Sequence, residues 1–420
     1  MHHLHRKQYP WINTLTRKVL YISYDGMTDP LGQSQVLPYI IALSKQGYEF
    51  TLLSFEKKKR FDAERGVIEK IAAANSIKWV PQFFTARPPV LSKMYDRWKL
   101  MRTARHLHRK EKFDIIHCRS YIAAEAGLKL KKRYGIKFLF DMRGFWADER
   151  VDNGQWDLKK PLYKKLYNLY KKKERNFLLN ADGIVSLTKA GKDYLLSQPA
   201  YKDLLIEVIP CCADLDTFDF HKISQQESGD LRKQLAITPG KKVITYLGSV
   251  GGWYMTNEMF AFYKQLLINY PDFILLLLTK DDKESVVREA TAAGIAPDQL
   301  VVRYARRQEV PVYLSISDCS IFFIRPTFSK TASSPTKHGE LMGMGIPVIC
   351  NDIGDTGYIV TQTKAGIVPD SFTTAGYEKA IDNLQKLDTL PSAIREGAYA
   401  FYDLQKGVQE YIGAYKRIMK

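Results

Sequence analysis

Cysteine is scarce in this chain, with five residues among 420: Cys118, Cys211, Cys212, Cys319 and Cys350. An odd number with no C-x-x-C pair excludes a disulfide framework and a zinc knuckle, and three of the five lie in or beside apolar runs that predict core packing. A reducing cytoplasm is the expected compartment. Long hydrophobic runs are also missing. The longest strictly apolar stretch, Phe273–Leu278, is far short of the ~20 residues a membrane-spanning helix needs. Residues 1–17 hold His2, His3, His5 and several basic residues but no apolar core of signal-peptide length, so they read as a leader before the first strand. Acids are outnumbered, 45 against 63 Lys and Arg, and the formal charge of +18 predicts an acidic partner: nucleic acid, anionic lipid or a phosphorylated substrate. The dinucleotide fingerprint G-x-G-x-x-G is absent, and no other cofactor motif takes its place.

What is present is a regular alternation of short apolar runs with helical periodicity. At 420 residues the chain exceeds the size of a single core, so two domains are expected. The alternation predicts an α/β fold with two parallel, Rossmann-like sheets. The boundaries we assign are a leader at 1–17, a first domain at 18–215, a linker at 216–232, a second domain at 233–395 and a terminal helix at 396–420.

The most informative stretch is Ser333-Ser334-Pro335-Thr336-Lys337-His338-Gly339-Glu340, continuing to Gly345-Ile346-Pro347-Val348-Ile349-Cys350. It lies between apolar runs at 319–324 and 346–350, which predicts a helix opened by Pro335 and closed by Gly345 between two parallel strands. Lys337 and Glu340, three apart, fall on one face of its first turns, where backbone amides lack intrahelical partners and the dipole favours anions. Such a pair can divide a nucleotide, with the lysine on phosphate and the glutamate accepting from ribose hydroxyls. It can equally be a solvated helix start whose charges pair with each other. A second phosphate-type loop, Gly248-Ser249-Val250-Gly251-Gly252, follows the strand at 243–247 and precedes a helix expected to be capped by Thr256.

Polar residues at strand ends supply further candidates, because such ends converge in a doubly wound sheet. His117 closes one strand and Arg143 follows another. Arg143 offers a bidentate fork for a carboxylate or phosphate, while His117 is either catalytic or a hydrogen-bonded strand-end histidine. Asp214 and Asp216 are spaced for a divalent ion, but they sit in an irregular connection without fixed geometry, so no metal site is expected.

The pattern Ser-Pro-Thr-Lys, two residues, Glu340, then Gly-Ile-Pro-Val-Ile resembles the donor-binding segment of family 4 glycosyltransferases of the GT-B fold. The resemblance implies two Rossmann-like domains facing across a cleft, a nucleotide-sugar donor, transfer usually with retention, and no bound metal. It places Glu340 on the second glutamate of a Glu, seven residues, Glu frame, with Ser334, Thr336 and Lys337 beside it, and puts Ala332 where the first glutamate would stand. Residues 25–47 are similar to the opening of many bacterial members, which implies that Gly32 and Gln33 face the donor diphosphate. Gly248 and Ser249 fall in a loop where members often carry an arginine and a lysine, absent here before Lys264, so Lys337, then Arg325 or Lys330, are expected to neutralise the diphosphate. Arg143 stands where a His-Gly pair is usual.

A glycosyltransferase is therefore the expected function, acting on a glycan or lipid-linked acceptor. A nucleotide-sugar epimerase and a non-catalytic nucleotide-sugar-binding protein are the alternatives. A nucleic-acid partner is not expected, for want of a recognition module. Residues 93–112 carry eight Lys and Arg against two acids, and 159–175 eight against one, which predicts peripheral attachment to an anionic membrane at its inner face. In the second segment Leu162, Leu166 and Leu169 form the expected apolar stripe, with Tyr163, Tyr167 and Tyr170 beside it.

Overall fold

In the computed structural model, residues 17–420 are described, apart from the side chains of residues 89 and 90. His2, His3 and His5 lie outside the described residues, as does all of the leader but residue 17. The described residues form two compact units, 17–139 with 418–420, and 140–417.

In the first unit β1 (Arg17–Ser23), β2 (Tyr48–Glu56), β3 (Lys78–Phe83) and β4 (Ile115–Arg119) lie in the order β3-β2-β1-β4, all parallel. The burial patterns follow from position. Val19–Ser23 and all of β4 are buried, whereas the edge strand β3 has no buried residue and tolerates Pro81.

The boundary between the units falls within β5 (Lys137–Asp141). The second unit contains β6 (Gly183–Ser186) and β7 (Ile206–Val208), paired in parallel, and a separate six-stranded sheet. That sheet is built from β8 (Lys242–Leu247), β9 (Phe273–Leu278), β10 (Leu300–Arg303), β11 (Cys319–Phe322), β12 (Val348–Cys350) and β13 (Gly366–Ile367). Its order is β10-β9-β8-β11-β12-β13, so the chain reverses direction of travel between β8 and β11. In open parallel sheets the crevice at the carboxyl ends of such a pair is where ligands bind.

Two details differ from the sequence reading. The helix after the glycine loop, Thr256–Asn269, has Met255 at its cap, and the Thr256 hydroxyl instead accepts from Gly251 N at 2.8 Å, closing the loop. The terminal helix is two helices, Pro391–Tyr402 and Leu404–Met419, broken where Asp403 bridges to Ala213.

Candidate active site

The site is assembled at the reversal between β8 and β11, from the loop after β8 and the helix Thr336–Gly343 that precedes β12. Pro335 occupies the helix cap, and Gly345, at φ +67°, turns the chain into β12. Every residue of the helix after Thr336 is buried, so the expectation of a solvated helix start is overturned. Arg395 fixes the far end by donating to Gly343 O at 2.5 Å and to Leu215 O at 2.7 Å, which satisfies a helix-terminal carbonyl.

Lys337 does not pair with Glu340 as that reading required. Its Nζ is buried and has no hydrogen-bond partner among the described residues. It stands 3.6 Å from the ring centre of Tyr254, 4.4 Å from Tyr246 and 5.8 Å from Phe322. Aromatic faces attract a cation but do not replace water. Burial therefore pulls the ammonium from its ordinary value of 10.5 down to about 7, with Glu340 opposing. Directly over Nζ lies Gly248, at φ +136°, where a Cβ would come within 2.5 Å of the lysine nitrogen. Only glycine suits both the backbone angle and that approach.

The loop is pinned from three sides. Gly248 N donates to Leu278 O at 2.9 Å, Val250 N to Asp281 Oδ2 at 2.5 Å, and the Tyr246 hydroxyl to Ser249 O. An antiparallel bridge between Tyr254 and Ile324 ties its end to the segment after β11, with Arg325 N on Trp253 O at 2.9 Å. Lys330 sits with Nζ 3.8 Å from the Trp253 ring centre and 2.8 Å from Glu149 Oε1, and Arg325 Nη2 donates to Gly252 O at 3.2 Å.

Glu340 is buried, and its carboxylate accepts from Arg307 Nη1. Arg307 comes from the loop after β10, and its guanidinium carbon lies 4.6 Å from the Phe218 ring centre. Nothing in the spacing of residues 333–350 pointed to this partner, although Arg306-Arg307 was visible as a basic pair just past a strand.

Arg143 has a left-handed backbone, φ +60°, uncommon for a residue with a side chain and often found at functional sites. Its Nη2 donates to Cys211 Sγ at 3.0 Å, and Nη1 is 3.8 Å from Asp141 Oδ2. Cys211 N in turn donates to Ser334 Oγ at 3.2 Å, linking Arg143 to the segment that leads into the helix. Thr336 is the first helical residue. Ala332 is buried, and a Cβ on Gly191 would lie 3.0 Å from its own, so a methyl group fills the place of the first glutamate. His338 lies buried with Nδ1 2.8 Å from the Tyr402 hydroxyl, and burial pushes it down to about 3. It is a neutral core histidine at physiological pH.

The remaining candidates belong to the first unit. His117 does not close its strand as expected: it is buried in the middle of β4, with Cys118 and Arg119 following it in the strand, its ring 4.3 Å from that of Tyr21 on the paired strand. Gly32 is buried in the helix Pro30–Gln35, where a Cβ would strike Gly26 O at 2.2 Å, so packing alone requires glycine there. Gln33 is exposed. The loop between β1 and that helix is held by the buried Glu56, which accepts from Met27 N at 2.8 Å and Thr28 Oγ1 at 2.6 Å. Asp214 accepts from Asp216 N at 3.1 Å and Thr217 Oγ1 at 2.8 Å, closing a turn. Among the described residues no cluster of three or more His, Cys, Asp or Glu is arranged to hold a metal.

Comparison with known proteins agrees with this architecture. Residues 35–217 match the family model Glycosyltransferase Family 4, and residues 227–401 match Glycosyl transferases group 1. Among curated proteins none matches the sequence. A sucrose-phosphate synthase from Thermosynechococcus elongatus superposes with a TM-score of 0.70 at 16% identity, over 96% of this chain and 99% of that one. A glycosyltransferase from Rickettsia africae gives 0.68 at 16% identity, over 97% and 99%. The Anabaena protein Alr3699/HepE, solved in complex with UDP and glucose, gives 0.65 at 14% identity, over 95% and 99%. At these identities the likeness to solved structures speaks to the fold alone.

Proposed function

We propose that this chain, which belongs to glycosyltransferase family 4 and has the GT-B fold, transfers a sugar from a nucleoside diphosphate donor to a glycan or lipid-linked acceptor at a membrane surface, with retention at the anomeric carbon. The observation that carries the donor reading is Lys337: a buried, partnerless ammonium aimed at a glycine loop, three residues from a buried carboxylate. An ammonium in that position gains most when a diphosphate arrives, because the anion supplies the partner that burial has removed.

In the reaction the bond from the anomeric carbon to the diphosphate oxygen breaks, the acceptor oxygen bonds to that carbon, and the acceptor's hydroxyl proton passes to the departing diphosphate. Charge develops on the leaving diphosphate, where Lys337, the amides of the Gly248 loop and the amino end of the helix Thr336–Gly343 would meet it already oriented. These groups supply the neutralisation that a divalent ion provides elsewhere, and transfer is accordingly taken to be metal-independent. Glu340 would accept from the ribose hydroxyls, sharing its carboxylate with Arg307. The Alr3699/HepE neighbours were solved with UDP, with UDP and glucose, and with UDP-glucose, which makes uridine diphosphate sugars the first donors to try. The membrane placement is supported by the basic helices Pro89–Glu111 and Pro161–Asn180.

The test is product analysis with UDP-sugars, with and without glycan and lipid-linked acceptors. Glycosidic product formed only when acceptor is present is the expected result. An epimerised sugar formed without acceptor, or binding with no turnover on any acceptor, would overturn the proposal in favour of the epimerase or the non-catalytic binder.

A further inference from the structure

The helix Pro89–Glu111 is amphipathic in the wrong sense at its amino end. Leu91, Met94, Tyr95 and Trp98 are 62%, 61%, 51% and 52% exposed, while Ser92 and Asp96 on the opposite side are 3% and 0% exposed. Positions 91, 94, 95 and 98 share one face by the 3.6-residue period. The inward polar residues are used: Asp96 accepts from Thr85 Oγ1 at 2.7 Å and Thr85 N at 3.1 Å. The outward apolar ones are not used by this unit. A contiguous exposed patch of this kind marks an interaction surface.

The same face continues as a cationic one. Arg102 and Arg109, four and eleven residues past Trp98, return to its side of the helix and are exposed. The two acids of this helix are both engaged, Asp96 with Thr85 and Glu111 with Lys78 and Thr51, so neither offsets the arginines. Tyr95 and Trp98 stack with ring centres 5.6 Å apart, and the Arg102 guanidinium lies 5.3 Å from the Trp98 ring. An apolar end with two amphipathic aromatic rings, followed on one face by two arginines about 10 Å apart at 1.5 Å per residue, has the charge and polarity profile of an anionic bilayer met obliquely.

We infer that the amino end of the helix Pro89–Glu111 inserts Leu91, Met94, Tyr95 and Trp98 into the headgroup and upper acyl region of an anionic membrane, with Arg102 and Arg109 on lipid phosphates. This deepens the membrane placement proposed above and rests on it: that placement needs only adsorption of charge, whereas this one requires apolar penetration. Its signature is a component of binding that survives high salt.

The test uses the full chain, a Met94→Ser/Trp98→Ser variant and an Arg102→Gln/Arg109→Gln variant, floated with phosphatidylcholine vesicles with and without phosphatidylglycerol, at low and high salt. All four positions are exposed, so the variants should fold. The parent should prefer the anionic vesicles and keep part of its binding at high salt. The apolar variant should bind about tenfold or more weakly and lose the salt-resistant part, and the arginine variant should lose the preference for anionic lipid. Acyl-brominated lipid should quench the parent's tryptophan emission, and the quenching should diminish in the apolar variant. If the apolar variant binds as the parent does, insertion is wrong while charge-driven attachment stands. Should the parent bind neither vesicle at low salt, membrane placement itself fails. A parent that is dimeric while the apolar variant is monomeric would assign the face to a second copy and overturn the inference.

Discussion

Lys337 is the residue whose behaviour is most dependent on whether the site is occupied. With its value pulled down to about 7, it is largely neutral in the empty protein above neutral pH. A bound diphosphate favours the charged form, so binding above pH 7 must take up a proton. The nucleotide's terminal phosphate ionises near 6 and stays fully charged across this range. Affinity for a nucleoside diphosphate should therefore fall as pH rises from about 7 to 9, by up to roughly tenfold per unit. In Lys337→Met the profile should be flat. Calorimetry in buffers of different ionisation enthalpy reads the proton directly, and equal heats in all buffers would contradict the assignment. The stability sign is fixed by the same shift. The unfolded chain, with lysine at 10.5, holds more protons between about 7 and 10.5, so the empty protein should gain stability as pH rises through that window. Below it Lys337 is charged in the fold without a partner, and Lys337→Met should melt higher than the parent there while binding diphosphate worse.

Among elements, the loop after β8 and the site helix act as a pair, and a single methyl group tests their fit. Gly248→Ala places a Cβ 2.5 Å from Lys337 Nζ on a backbone angle of +136°, so either the loop or the lysine must move. We expect diphosphate affinity to drop by about ten- to a hundredfold while nucleoside binding, which the proposal assigns to Glu340, changes little. Titration with nucleoside and nucleoside diphosphate checks this, and equal losses for both would mean that the loop does not touch phosphate. Local signals made these two elements legible in the sequence: a proline and a glycine at the ends of one helix, glycines after an apolar strand, and charges three apart. What could not be read were long-range consequences. Arg307 reaches Glu340 from 33 positions away, and no spacing rule links a loop after β10 to a helix before β12. The burial of the site helix depends on the second unit closing around it. Strand β3 contains Pro81, a residue that argues against a strand, and its edge position is what makes the proline acceptable. In the helix Pro161–Asn180, Leu162 and Leu169 of the leucine stripe face outward, while Tyr170, Glu174, Phe177 and Leu178 are buried. The 3.6-residue period gave a face, but with tyrosines beside it the period alone could not say which side faced the core.

At the scale of the whole molecule the two units carry parallel strands, and the proposed nucleotide site lies in the second, on fixed charges of the chain itself. No described helix is long and apolar enough to cross a membrane. Transfer should persist in EDTA, since in the proposed site Lys337, the loop amides and the helix end would take the role of an ion at the diphosphate. Loss of activity in chelator, restored by magnesium or manganese, would show that Asp214 and Asp216 or some other carboxylates do more than close turns. The central claim, that Glu340 and Lys337 divide a nucleotide between ribose and phosphate, is tested most directly by calorimetry. The titrants are nucleoside, nucleoside diphosphate and nucleotide sugar, and the proteins are the parent, Glu340→Gln and Lys337→Met. Hydrogen bonds to charged groups contribute about 1.5–3 kcal/mol, so Glu340→Gln should weaken all three ligands by roughly ten- to a hundredfold. Lys337→Met should weaken the two diphosphates and leave the nucleoside nearly unchanged. If Glu340→Gln binds the nucleoside diphosphate as tightly as the parent, the helix Thr336–Gly343 is not the nucleotide site.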